Sequence, residues 1–143
     1  MDHVGIVVDD LDTAVDFFRE LGLSPSGDGT VQGSWVDRII GLEGAVVGFA
    51  MMKTPDGKGG LELVQFHSPP IEGDERPLPA NARGLRHLCF AVDDIDDIVA
   101  RLQARGAELV GEVVNYEDVF KLCYIRGPSG IIIELAEPVH TRT

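Results

Sequence analysis

The chain has 143 residues, of which 24 are acidic and 12 are basic, and its formal net charge at pH 7 is −12. A chain of this length can bury a hydrophobic core without disulfides or a structural metal. The acidic balance argues against nucleic acid and against an anionic membrane surface as partners.

The sequence also indicates a cellular compartment. No secretory signal opens it, and its apolar runs are too short to span a bilayer, so we expect a cytoplasmic protein. Two cysteines, Cys89 and Cys123, fall in strand-like runs. A pair of cysteines in an intracellular chain is more typical of reduced thiols than of a disulfide framework, and we expect both to be buried in the core.

An internal repeat relates the two halves of the chain. The segment DHVGIVVDDLD at residues 2–12 returns 84 positions later as RHLCFAVDDID at residues 86–96. The shift places His3 on His87, and a match that runs from a strand through an acidic turn into a helix indicates a duplication.

The repeat sets the domain organisation. We assign residues 1–67 to a first module and residues 85–138 to a second module. Residues 68–84 contain four prolines and form the linker. We expect the two modules to form one compact domain.

In the first module, residues 4–8 predict a strand, with His3, Gly5 and Val7 on one side of it. A helix follows, capped by Asp10 or Asp12. Its predicted apolar stripe consists of Leu11, Val15, Phe18 and Leu21. The remaining predictions are a loop at 24–30, a strand within 31–36, and a hairpin of strands at 45–52 and 61–66.

The second module repeats this order. A strand at 87–92 leads into a helix with an apolar stripe of Ile95, Ile98, Val99 and Leu102. The predicted strands that follow cover residues 109–114, 119–126 and 131–136. Each module therefore has the order β-α-β-β-β, and the fold class is α+β.

A glutamate interrupts a hydrophobic strand in each module. Alternation places Glu62 on the same face as Val64 and Phe66, and Glu134 lies at the matching place in the last strand. An unpaired charge beside apolar side chains is costly, so each glutamate should have a partner.

His3, Glu62, His87 and Glu134 occupy equivalent places in the two copies. If a pseudo-twofold axis pairs the modules edge to edge, all four converge. Two imidazoles and two carboxylates suit one divalent first-row metal ion (Ni, Zn, Co, Mn or Fe) with two positions left for water or substrate. The alternative is that the histidines are ordinary strand-end residues and the glutamates are edge-facing charges.

Two further histidines, His67 and His140, have no counterpart in the other copy. We expect both to be exposed to solvent.

The paired modules resemble the vicinal oxygen chelate superfamily, which includes glyoxalase I, methylmalonyl-CoA epimerase, fosfomycin-resistance enzymes, extradiol dioxygenases and bleomycin-binding proteins. The resemblance rests on residues 2–12, on GLRHLCFAVDDID at residues 84–96, and on GPSGIIIEL at residues 127–135. It implies a curved mixed sheet around a central cleft, and a homodimer. It also implies that the metal ligands are His3, Glu62, His87 and Glu134.

The position of Glu62 separates the branches of that superfamily. The lyase and epimerase branch holds Glu or Gln there, whereas dioxygenases and fosfomycin enzymes use two His and one Glu. The resemblance therefore implies a lyase or isomerase that chelates neighbouring oxygens of a small carbonyl or hydroxy-acid substrate. Such an enzyme transfers a proton through an enediolate, with Glu134 as the base and Glu62 returning the proton. The alternatives are an Fe- or Mn-dependent ring-cleavage dioxygenase and a non-catalytic drug-binding resistance protein.

The sequence also offers candidates for contacts with the substrate. Trp35 and Arg38 lie in one short segment, and Arg86 precedes the second histidine. For Trp35 the alternative is a surface-packed side chain beside a local ion pair. Lys53 and Arg126 are further cations that could meet an anionic substrate.

Overall fold

The computed structural model describes residues 1–74 and 76–139 of the chain. The chain divides into two compact units, Met1–Glu75 and Arg76–Thr143, each built on one mixed β-sheet. The α+β fold class predicted from the sequence is confirmed. No helix within the described ranges has the length and apolar character needed to span a membrane.

The first unit contains a four-stranded sheet and two helices: β1 (Val4–Val7), α1 (Leu11–Glu20), β2 (Ser24–Gln32), α2 (Ser34–Ile40), β3 (Val46–Lys53) and β4 (Gly60–Ser68). The strand order is β1-β4-β3-β2. Strands β1 and β4 are parallel, and the other neighbours are antiparallel.

The second unit repeats this topology: β5 (His87–Ala91), α3 (Ile95–Ala104), β6 (Glu108–Leu109), β7 (Val114–Tyr116), β8 (Phe120–Arg126) and β9 (Ile132–Pro138). A single 3₁₀ turn, Pro128–Gly130, joins β8 to β9. The order is β5-β9-β8-β6, with β7 also paired to β8 and with β5 parallel to β9.

Each unit buries one face of its sheet under one helix. The stripe predicted for α3 is confirmed, because all four of its residues are buried. The stripe of α1 is rotated from the prediction: Ala14, Phe17 and Phe18 are buried, whereas Leu11 and Val15 are only partly covered. On the sheet side, the residues on either side of each strand glutamate are buried.

The two helix starts are held in the same way. Asp10 and Asp94 each accept a hydrogen bond from the backbone N–H three residues later, at 2.9 and 3.1 Å. Gln65 on β4 and Glu137 on β9 each accept one from the first helical N–H, at 2.9 and 3.2 Å. These side chains satisfy N–H groups that lack partners within the helix. The prediction of Asp10 as a cap is confirmed.

The loop predicted at 24–30 is wrong, because these residues belong to strand β2. Nearly all of β2 is exposed, so the strand depends on backbone pairing with β3 rather than on apolar side chains. A bulge between Pro25 and Gly27 accommodates the residues that suggested a loop. The strand predicted within 31–36 ends at Gln32, and helix α2 begins at Ser34.

The strand predicted at 109–114 is also wrong in its middle. Leu109 pairs with Ile125 and Val114 pairs with Leu122, so five steps along this segment match three steps along β8. The extra residues bend away from the sheet, and two short strands, β6 and β7, replace the single long one.

The prediction for the cysteines is confirmed for Cys123, which is buried, and wrong for Cys89, which is exposed. Strand alternation explains the difference, since Cys89 lies two residues after His87 and so shares the sheet face that α3 does not cover. His67 is exposed as predicted, although it lies in β4. His140 falls outside the described residues.

Candidate metal centre

The first histidine and glutamate meet on the sheet face opposite α1. His3 directly precedes β1, and Glu62 lies on the adjacent parallel strand β4, level with Gly5. The His3 Nε2 atom is 3.1 Å from Glu62 Oε2. The parallel pairing of β1 and β4 therefore joins two residues that lie far apart in sequence.

The other imidazole nitrogen of His3 also has a partner. His3 Nδ1 lies 2.6 Å from Asp2 Oδ2. This hydrogen bond, together with the charge of Glu62, raises the pKa of His3, and the same bond lowers the pKa of Asp2. The contact fixes the ring so that Nε2 points toward Glu62.

The second unit brings its histidine and glutamate together in the same way. His87 Nε2 is 3.4 Å from Glu134 Oε2. The hydroxyl of Tyr124 lies 3.3 Å from His87 Nδ1, and the centres of the two rings are 5.0 Å apart. Tyr124 lies on β8 directly opposite Glu134, so the strand register positions it beside the pair.

Cys89 is a further neighbour of the second pair. It lies on β5 directly opposite Glu134, whereas Gly5 occupies the matching place in the first unit. Loss of solvent around the thiol, followed by the charge of Glu134, raises the pKa of Cys89 to about 11. At neutral pH the thiol is therefore protonated.

The four histidine and glutamate side chains are between 23% and 39% exposed. This exposure leaves the donor atoms accessible to a metal ion and a small molecule. The partial burial also keeps each side chain near its partner.

The geometry of each pair fits a metal ion. Two ligands bound at 2.0–2.2 Å, at angles between a right angle and a tetrahedral one, lie roughly 3.0–3.5 Å apart. The N···O separations of 3.1 and 3.4 Å fall in this range. Each unit supplies one imidazole and one carboxylate. Within residues 1–74 and 76–139, however, no group of three or more His, Cys, Asp and Glu side chains is gathered as a complete site.

Two of the residues predicted to contact the substrate lie on helix α2. Trp35 is 56% exposed on helix α2, and Arg38 is exposed on the same helix. Asp37, between them, accepts hydrogen bonds from the N–H groups of Gly44 and Ala45 and so fixes the start of β3.

Arg86 contacts the backbone of the linker. Its guanidinium donates to the carbonyl oxygens of Leu78, Pro79 and Leu85 at 3.2–3.3 Å. Arg126 donates to the Gly130 carbonyl at 2.9 Å. Both arginines therefore hold loops in the second unit.

The sequence analysis missed three residues around the pairs, namely Asp2, Tyr124 and Cys89. Cys89 lies two residues after His87, so strand alternation gave a signal for it, whereas Asp2 is adjacent to His3 and its only signal was that closeness in sequence. Tyr124 gave none, because its position depends on the pairing of β8 with β9.

Comparison with known proteins gives a consistent assignment. A family model described as the Glyoxalase/Bleomycin resistance protein/Dioxygenase superfamily matches residues 2–124. The structure of a glyoxalase family protein from Bacillus cereus is similar, with 51% identity and a TM-score of 0.94, covering 98% of this chain and 94% of that one.

Two curated proteins are also similar. The uncharacterized protein YaeR of Escherichia coli (strain K12) is 37% identical over 57% of this chain and 60% of its own length. A 2-epi-5-epi-valiolone epimerase from Actinomyces sp is 29% identical over 93% of this chain and 76% of its own length.

Proposed function

Since this chain belongs to the glyoxalase/bleomycin resistance protein/dioxygenase superfamily, we propose that it is a metal-dependent lyase or isomerase of the glyoxalase I or epimerase type. Members of this superfamily commonly bind a divalent metal ion and small molecules. The observation that carries the proposal is the recurrence of one contact, histidine Nε2 to glutamate Oε2, in both halves of the chain.

His3, Glu62, His87 and Glu134 are the proposed ligands of one divalent ion, which is Ni, Zn, Co, Mn or Fe. The chemistry of the donors supports this set, because imidazole and carboxylate both bind such ions. The Nδ1 contacts of His3 and His87 also support it, since histidine ligands usually donate their second N–H to a neighbouring group. The four ligands come from one chain or from both chains of a homodimer.

When bound, a divalent ion withdraws electron density from two neighbouring substrate oxygens and makes the adjacent C–H bond acidic. Glu134 is the proposed base that removes the proton. Its side chain is 23% exposed against 34% for Glu62, so water competes less for its carboxylate. Glu62 returns the proton to the substrate carbon.

Similarity to an epimerase supports the choice of this branch. The Actinomyces relative is a 2-epi-5-epi-valiolone epimerase. An epimerase inverts one stereocentre, and removal and return of a single proton by two carboxylates achieves that result.

The first test is elemental analysis of the purified protein beside Glu62→Ala. Near-stoichiometric Ni, Zn, Co or Mn that falls in Glu62→Ala supports the four-ligand proposal. Glu112→Ala removes an exposed glutamate outside the site and should retain the metal. Iron that is unaffected by Glu62→Ala would favour the three-ligand dioxygenase, and no metal even after reconstitution would favour a binding protein.

A mixing experiment tests where the ligands come from. His3→Ala and Glu134→Ala each lack one proposed ligand. If two chains share a site, mixed dimers of these variants contain one intact site and should regain metal. If each chain supplies all four ligands, the mixture should stay as metal-poor as its components.

A further inference from the structure

An apolar cavity of about 210 Å³ lies in the first unit. It is lined by Val7 of β1, Phe66 of β4, Leu42 and the segment 69–72 that follows β4. This segment is Pro-Pro-Ile-Glu, so the Glu72 carboxylate is the charged group among the lining residues.

The cavity lies on the sheet face that carries His3 and Glu62. Val7 is four residues beyond His3 and Phe66 is four residues beyond Glu62, so alternation places all of them on one face. Glu62 is level with Gly5, two residues before Val7. At about 3.3 Å per residue, Val7 therefore lies roughly 7 Å along the sheet from Glu62 and roughly 13 Å from His3.

The route between the pair and the cavity is open. Gly5 lies between His3 and Val7 on this face, and among the described residues, apart from Gly5 and its chain neighbours, no atom lies within 4 Å of the place where its Cβ would be. Val64, level with Val7 on the neighbouring strand, continues the apolar surface toward Phe66. A ligand held at the pair can therefore extend along β1 and β4 into the cavity.

The size and charge of the cavity restrict its occupant. A cavity of about 150 Å³ holds a benzene ring, so this one takes a single ring or a chain of roughly six carbons. Glu72 opposes a carboxylate or phosphate at the cavity, because like charges repel.

We infer that this cavity binds the apolar group of the substrate, joined by a spacer to the oxygens held at the metal centre. The inference rests on the proposed function and narrows it. The substrate class is a small 2-oxo or 2-hydroxy compound with a neutral apolar arm. A glutathione or coenzyme A tail does not match this cavity.

The test measures how metal-loaded protein binds three probes, by calorimetry or by NMR titration. Lactate carries the chelating oxygens alone, 2-hydroxydodecanoate adds an alkyl chain long enough to reach the cavity from the chelating oxygens, and octan-1-ol carries an alkyl chain without the chelating oxygens. Affinity should rise by about fourfold for each methylene that enters the cavity. Equal affinities for lactate and 2-hydroxydodecanoate would overturn the inference.

Variants of the lining residues test whether the effect of chain length on affinity arises at the cavity. Leu42→Asp introduces a charge at the cavity, and Ile71→Asp does the same from its other wall. Both residues are about 40% exposed, at 41% and 40%, so each substitution is compatible with folding. Each should reduce the preference for 2-hydroxydodecanoate over lactate by at least tenfold. Ile39→Asp, on α2 and outside the cavity lining, should keep that preference, and an equal loss in this control would contradict the assignment.

The two proposals fail in distinguishable ways. Metal-dependent binding of lactate with no effect of chain length overturns the cavity inference and leaves the proposed function standing. If octan-1-ol binds and Leu42→Asp abolishes that binding, the cavity inference is supported. If hydroxy acids bind equally well with and without the metal ion, the proposed function is contradicted.

Discussion

The two His–Glu pairs have the same donor atoms and different surroundings. In the first unit, the second nitrogen of His3 meets the carboxylate of Asp2 at 2.6 Å. In the second unit, the second nitrogen of His87 meets the hydroxyl of Tyr124 at 3.3 Å. The duplication has kept the contact between histidine and glutamate, while the groups that orient the histidines have diverged.

A second difference concerns the residue beside each glutamate. Glycine lies opposite Glu62, where it leaves open space, whereas the thiol of Cys89 lies opposite Glu134. The first pair therefore has open space beside its glutamate, and the second has a more enclosed carboxylate. This asymmetry supports the proposed roles, in which Glu134 removes the proton and Glu62 returns it.

The largest expected effect on activity is that of substituting Glu134, and it should exceed the effect of substituting Glu62. Glu134→Gln should slow the exchange of solvent deuterium into the C–H bonds beside the carbonyl of 2-oxooctanoate by about 10²- to 10⁴-fold, because the base is lost. Glu62→Gln should slow it less. NMR measures the exchange, and circular dichroism checks that both variants fold. An unchanged rate in Glu134→Gln would remove this residue from the role of base.

Asp2→Asn tests the orientation of the first histidine. The charged partner makes His3 a better ligand, so metal affinity at pH 8 should fall by about tenfold. In metal-free protein the His3 titration, followed by NMR, should move to lower pH, because the Asp2 hydrogen bond is the main cause of the raised pKa.

The raised pKa of His3 also determines how the stability of the folded protein changes with pH. Because the pKa of His3 is raised in the folded chain, its interactions stabilise the fold fully below the ordinary histidine pKa. That contribution is lost as pH rises through the raised value. An unchanged His3 titration in Asp2→Asn would contradict the Asp2 hydrogen bond as the main cause of the raised pKa of His3.

Cys89 tests the surroundings of the second pair in metal-free protein. Although this residue is exposed, a pKa of about 11 leaves little thiolate at pH 8. Alkylation by iodoacetamide should therefore be roughly tenfold slower than that of a model thiol, after allowing for the greater nucleophilicity of a more basic thiolate. Peptide mass spectrometry gives the rate, and Glu134→Gln should raise it. Alkylation at the rate of the model thiol would contradict the loss of solvent around Cys89, and an unchanged rate in Glu134→Gln would contradict the contact with Glu134.

Tyr124→Phe should have the smallest effect. It removes the hydroxyl near His87 but retains the ring, and the 3.3 Å contact with a neutral group is weaker than that of Asp2. Metal affinity should fall by about threefold, less than the roughly 10- to 100-fold loss that is typical for such supporting groups. A loss of metal affinity larger than that of Asp2→Asn would contradict the expectation that Asp2 supports its histidine more strongly than Tyr124 does.

Local patterns in the sequence were enough to identify much of this protein. The repeat of residues 2–12 at residues 86–96 identified the duplication, and the period of α3 identified its buried stripe. His3 and Glu62 could be singled out because each stands at a place that recurs in the other copy. These features depend on the order of residues along one segment or on a comparison between two segments.

Other features depended on pairing between distant strands. β2 has a loop-like composition, and only its hydrogen bonds to β3 make it a strand. The break between β6 and β7 follows from a mismatch in length against β8.

The cavity and the partner of His87 were decided in the same way. Tyr124 reaches His87 through the register of β8 with β9, and the cavity forms where the segment after β4 meets Leu42. The sequence therefore determined the candidate donor residues and their module, and tertiary structure decided their neighbours. The physical reason is that strand register, and the path of the chain after each strand, bring together distant residues. Their separation along the sequence carries no periodic signal.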